Sequence, residues 1–228
     1  GTRRPSACSV TTDPTRPWAP RRYRTGRMEA FSDGVFAFAI TLLVLDLVVP
    51  SSETHDLIGA LLAGWPQYLV YVVSFATIGA TWLAHNAMTE QLDHANSTFI
   101  RLNLILLLLV AFMPFPTRFL AQYISSEESE RVAVALYGIS FLLMLVMTIL
   151  MWTYARRRGL LLEQDESEAT LFTRRLLPGL GIYVLLICAG MIWPMIAVFG
   201  YLTLALFFIV PLRRHRGSLP PKPEILPE

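Results

Sequence analysis

Charge is scarce in this sequence, and that scarcity is the first thing to bound the fold. Asp, Glu, Lys and Arg make up 16% of the 228 residues, against 54% hydrophobic, and mean hydropathy is +0.50. A soluble domain of this length needs more polar surface to cover itself. Cysteine is nearly absent, and Cys8 and Cys188 offer neither metal-ligand spacing nor a disulfide framework. HExxH, GxSxG, a Walker A loop and CxxC are all missing. No pair of catalytic groups falls inside the apolar runs, and the acids of EQDESE (163–168) read as a solvated turn. An enzyme, a resident metal and a cofactor are therefore not expected. A net charge of +2 is too small to argue for nucleic acid. No internal sequence repeat is visible.

What the chain does have is long apolar runs. Six approach or exceed the ~20 residues a spanning helix needs: 28–49, 65–84 with a helical lead-in from about 57, 101–120, 132–154, 176–193 and 195–212. This predicts an all-α membrane protein with six transmembrane helices. GWP at 64–66 and PFP at 114–116 predict breaks or kinks. Spans five and six, separated by little more than WPM (193–195), predict a tight hairpin. Residues 1–26, rich in Pro, Arg, Ser and Thr, read as a disordered basic tail, and 213–228 as a second tail. The apolar run after the first tail is too long for a signal-peptide core.

Positive charge sets the expected orientation. Seventeen of the 19 Lys and Arg fall on one side of a six-span chain, leaving Arg118 and Arg131 on the other with Glu127, Glu128 and Glu130. By the positive-inside rule both termini are expected to be cytoplasmic, with the six-helix transmembrane part at 27–212.

The first span, MEAFSDGVFAFAITLLVLDLVVP, begins with a puzzle: Glu29, Ser32 and Asp33 sit in its opening turns. At 100° per residue, and with Phe38 as zero, Phe31, Gly34, Thr41, Leu42 and Leu45 all fall within about 60° of it. Asp33 lies near −140° and Ser32 near +120° on the same wheel, at about those angles by helix geometry. The helix thus has an apolar stripe and a polar edge. An acid in a span is costly and finds protein partners. Candidates at its depth are His85, Asn86, Arg101, Asn103 and Arg27. Two readings stay open for Asp33: a polar clamp tying spans one, two and three, or an ion or proton site. Two also stay open for the stripe, namely helix packing, eased by Gly34, Ala37 and Thr41, or a pore lining.

Arg27, Phe31, Ser32 and Asp33 form R-x-x-x-F-S-D, followed by GVFAFAITLLVLDL. This resembles the signature of the endolysosomal potassium channel family of the transmembrane protein 175 type, in its single-repeat prokaryotic form. SFATIGATWLAHN (74–86), with Trp82 and His85, and NLILLLLVAFMPFPT (103–117), beginning at Asn103, are similar to that family's second and third spans. The resemblance implies a potassium-preferring channel without a TVGYG filter, assembled as a homotetramer in a prokaryotic plasma membrane. Four first helices would surround the pore. Arg27, Phe31, Ser32, Asp33, Trp82, His85 and Asn103 would be the motif and inter-helix clamp. Phe38, Thr41, Leu42 and Leu45 would line a hydrophobic constriction through which potassium passes. The family usually has Ile or Leu where this chain has Phe38. Asp46, toward the outer end, is a candidate for raising local cation concentration, or simply a helix-end acid among the headgroups.

A different class of protein, a proton-coupled or other secondary cation transporter, would show inverted repeats or spans broken at the midplane. Neither is visible. A third reading is a non-conducting scaffold that oligomerises through span one.

Overall fold

The computed structural model describes residues 25–47, 56–124, 129–162 and 166–210, with the backbone alone over 166–175. The expected tails therefore lie outside the described residues, apart from Thr25 and Gly26. Among the described residues there are eight α-helices: α1 Gly26–Leu42, α2 Leu57–Ala63, α3 Trp65–Thr89, α4 Ser97–Phe112, α5 Pro114–Tyr123, α6 Glu130–Arg157, α7 Glu166–Gly190 and α8 Pro194–Ile209. A 3-10 turn, Leu43–Asp46, prolongs α1.

Local chemistry sets most of the boundaries. Asn96 caps α4 by accepting the Phe99 N–H at 2.8 Å, and Asp56 caps α2 through Gly59 N–H at 2.9 Å. Proline opens α3, α5 and α8, where its missing N–H costs nothing. The chain breaks at Gly64 and at Met113–Pro114, the places marked by GWP and PFP. Gly159, at φ +62°, reverses the chain after α6 in a conformation that L side chains rarely adopt.

Four of the six expected spans are long and apolar enough to cross a membrane: Gly26–Asp46, Trp65–Thr89, Ser97–Tyr123 and Glu130–Arg157. For the last two, the described apolar helices are Leu176–Gly190 and Pro194–Ile209, the backbone of α7 being helical from Glu166 and the residues after Val210 lying outside the described ones. Gly190 ends α7 and Pro194 starts α8, so only residues 191–193 separate the two, as the tight hairpin expected at WPM requires.

Helix α6 lies at the centre, against α3, α4, α5, α7 and α8, while α1 packs on α3 and α4. At one end of the bundle the loops after α3 and α6 pair as a short antiparallel bridge, Leu92 with Leu161. Asp93 N–H donates to Leu160 O and Leu162 N–H to Gln91 O, each at 2.9 Å.

Deeper in, Tyr137, Phe141, Tyr183 and Tyr201 form a cluster with ring centroids 4.5–6.4 Å apart. Ser74 of α3 donates to its own helix at Val70 O (2.9 Å), so its oxygen receives the Tyr137 hydroxyl, 2.6 Å away. Thr117 Oγ1 of α5 lies 2.9 Å from the same oxygen. Three buried hydroxyls thus join α3, α5 and α6. The Tyr201 hydroxyl, by contrast, is buried without a hydrogen-bond partner among the described residues, in the space left by Gly138.

That difference predicts opposite outcomes for two hydroxyl deletions in α-helices of the same core. Ser74→Ala strands the Tyr137 hydroxyl and lowers stability by about 1–3 kcal/mol. Tyr201→Phe removes an unpaired group and leaves stability unchanged or raised. Thermal unfolding in detergent checks both, and a loss on Tyr201→Phe as large as that on Ser74→Ala contradicts the assignment.

Candidate functional site

The polar residues of span one divide between two separate contacts. Ser32 is buried, and its hydroxyl donates to Met28 O at 2.8 Å within α1. It accepts from Asn103 Nδ2 of α4 at 2.9 Å. Asn103 Oδ1 in turn lies 2.8 Å from His85 Nε2 of α3. Because the amide nitrogen faces Ser32, the amide oxygen faces His85, and His85 Nε2 must carry the hydrogen. The His85 ring also rests on Phe36, centroids 5.6 Å apart. This buried line of hydrogen bonds joins α1, α4 and α3 in one layer.

Asp33 is not part of that line. It is exposed on the chain surface and accepts from Trp82 Nε1 of α3 at 2.9 Å. None of the five partners expected for it holds it. The wheel explains why: Ser32 and Asp33 are about 100° apart, so one α1 face cannot bury both. Trp82 was not among the partners drawn from depth, because it looks apolar although its indole N–H is a good donor; the resemblance alone set it in the clamp. Arg27 and Phe31 are exposed, and neither joins either contact.

The stripe lies on the bare side of the chain. Phe31, Phe38 and Leu45 are 57%, 64% and 75% exposed, and Gly34 and Thr41 are exposed with them. Leu42, at the stripe's edge, is half-buried. Thr41 donates its hydroxyl to Phe38 O at 2.9 Å, which leaves the oxygen lone pairs to face outward. The exposed arc runs on through Ala37 and Val44 to Asp33, about 160° in all. Phe36, Ala39 and Leu43 fill the opposite side and are buried. Of the four long spans, α1 is the least buried, at 22% of its most apolar stretch.

Asp46 is half-buried just past α1, with Oδ2 buried and without a hydrogen-bond partner among the described residues, and Arg118 of α5 is close enough to act on its charge. Among the described residues, no group of three or more His, Cys, Asp or Glu could hold a metal ion.

Comparison with known proteins gives a family and a fold. The profile of the family described as endosomal/lysosomal potassium channel TMEM175 matches residues 27–114. A potassium channel of Chamaesiphon minutus is 38% identical over 195 residues, covering 83% of this chain and 96% of that protein. The crystal structure of a lysosomal potassium-selective channel TMEM175 homolog from Chamaesiphon minutus superposes with a TM-score of 0.73 at 37% identity. That match covers 81% of this chain and 95% of the other. The endosomal/lysosomal proton channel TMEM175 of Mus musculus is 36% identical over 152 residues, covering 62% of this chain and 29% of the mouse protein.

The buried line predicts a ranking of variants. Asn103→Leu, similar in size but apolar, leaves the His85 Nε2–H without an acceptor and costs about 1–3 kcal/mol. Trp82→Phe, at the exposed contact, costs less. Melting temperatures of the two purified variants check the order, and a reversed order contradicts it.

Proposed function

Because this chain belongs to the TMEM175 family of endosomal/lysosomal potassium channels, we propose that four copies form a potassium-preferring channel lined by α1. The carrying observation is the bare stripe of α1 opposite a side fixed by Ser32, Phe36, Ala39 and Leu43. One helix per chain cannot enclose a path, so a lining of α1 requires several copies around an axis. An exposed arc of about 160° suits that arrangement, because the middle of the stripe faces the lumen while its flanks meet neighbouring copies. The same packing removes Asp33 from lipid, where an acid costs about 2.5–3.5 kcal/mol at mid-span and less near the edge.

In this reading Phe38, Leu42 and Leu45 form apolar layers with Thr41 as a polar ring between them. Apolar rings offer no oxygens to replace hydration water, so they favour the ion whose shell is cheaper to deform, which puts potassium ahead of sodium. They also close by dewetting when slightly narrower. Asp46 adds negative potential at the outer end. Ser32, Asn103, His85, Asp33 and Trp82 hold the rotation of α1 rather than touch the ion. The protein sits in a prokaryotic plasma membrane with both termini cytoplasmic, as the distribution of Arg supports.

Proton permeation along the same path is a second reading, favoured by the name of the mouse relative. Potassium and sodium gradients across liposomes, with a pH dye inside, separate the two. Flux with potassium well above sodium and little acidification supports the first reading, and a pH change without potassium flux supports the second. Native mass of the purified protein should give four copies. Phe38→Ala should raise conductance and weaken the preference while the assembly survives. If conductance and preference both stay at wild-type values, α1 does not line the path at Phe38.

A further inference from the structure

We propose that the cavity enclosed by α3, α6, α7 and α8 is a hydration site, in which one or two water molecules join the Tyr183 hydroxyl to the oxygens of Thr77, Thr81 and Thr148. The site lies in the core of the bundle, and the inference goes beyond conduction along α1.

Tyr183 of α7 is 3% exposed, and its hydroxyl has no hydrogen-bond partner among the described residues. It lines the cavity together with Thr77 and Thr81 of α3 and Thr148 of α6. Side chains on a helix lean toward its N-terminus, so Tyr183 leans toward Leu176, which lines the same cavity. The three threonines have each committed their hydrogen to their own helix. Thr77 donates to Val73 O at 2.8 Å, Thr81 to Thr77 O at 2.9 Å and Thr148 to Met144 O at 2.9 Å. Their oxygens are left able only to accept. The set therefore has one hydroxyl hydrogen to give and three acceptors to fill. Water supplies two donors and accepts the Tyr183 hydrogen.

Room and lining agree with that chemistry. The cavity offers about 30 Å³ for the centres of water molecules, and one water needs ~10–15 Å³ of such room and two to four polar partners. Empty cavities are lined by apolar groups alone. Thr81, Ala84 and Phe208 are half-buried and mark the side from which water enters. Tyr201, whose ring stacks on Tyr183 with centroids 6.0 Å apart, does not line the cavity. Neither tyrosine has a hydrogen-bond partner among the described residues, and only Tyr183 has access to this space.

The test uses the full-length protein in lipid nanodiscs. A synchrotron X-ray pulse turns bound water into hydroxyl radicals that label the adjoining side chains, and mass spectrometry reads the labels. Tyr183 is expected to be labelled several-fold more than Tyr137, which is also buried but paired with Ser74. Labelling of Tyr183 no higher than that of Tyr137 overturns the inference. Melting temperatures of Tyr183→Phe, Thr148→Val and the double variant give a second readout. Shared water couples the two hydroxyls, so each single change lowers the melting temperature and the double change lowers it by less than the sum. A Tyr183→Phe protein that melts at or above the parent temperature overturns the inference, as do losses that simply add. The labelling is read on the parent, so it decides the matter even where a variant fails to fold.

Discussion

The structure depends on keeping hydrogen-bonding groups paired away from water. Inside a bilayer an unpaired polar atom costs several kcal/mol, so the few polar side chains of the spans decide how the helices meet. The line from Met28 O through Ser32 and Asn103 to His85 is the main instance. Apolar side chains tolerate a helix turned by some tens of degrees. A serine that must meet one amide does not. Once Ser32 is fixed inward, helix geometry places Phe31, Gly34, Phe38, Thr41 and Leu45 on the side the chain leaves bare.

The same logic governs the far half of the bundle with different chemistry. There the junction is made of hydroxyls: Ser74, Thr117 and Tyr137 connect α3, α5 and α6. It fastens the helix that follows the break at Met113–Pro114, which would otherwise rely on apolar packing alone. α3 takes part in both junctions, through His85 at one level and Ser74 at another.

Helix positions and breaks were legible in the sequence because hydropathy, Gly64, Pro66 and Pro114 act locally. The bare stripe of α1 was legible as a periodicity, but periodicity does not say what lies opposite. That took the resemblance carried by R-x-x-x-F-S-D. The partner of Asp33 was not legible from the residues alone, although the resemblance had set Trp82 in the clamp. A wheel gives the direction of a side chain but not which neighbour reaches it, and the indole of Trp82 reads as bulk rather than as a donor. Ser74 and Thr117 were overlooked because single hydroxyls in apolar runs look like tolerated neutral residues. An isolated polar residue deep in a span was the available signal.

The bridge between Leu92 and Leu161 bears on the mechanics of the molecule. It fastens the end of α3, the start of α4 and the end of α6 to one another, with Tyr154 of α6 also hydrogen-bonded to the α4 cap Asn96 at 3.1 Å. Load applied to any one of those helices is shared by the other two. α1 has no part in that fastening and is held only along its flank. The chain is therefore built like a stator with a single armature rod beside it, joined to it along the face where α1 meets α3 and α4.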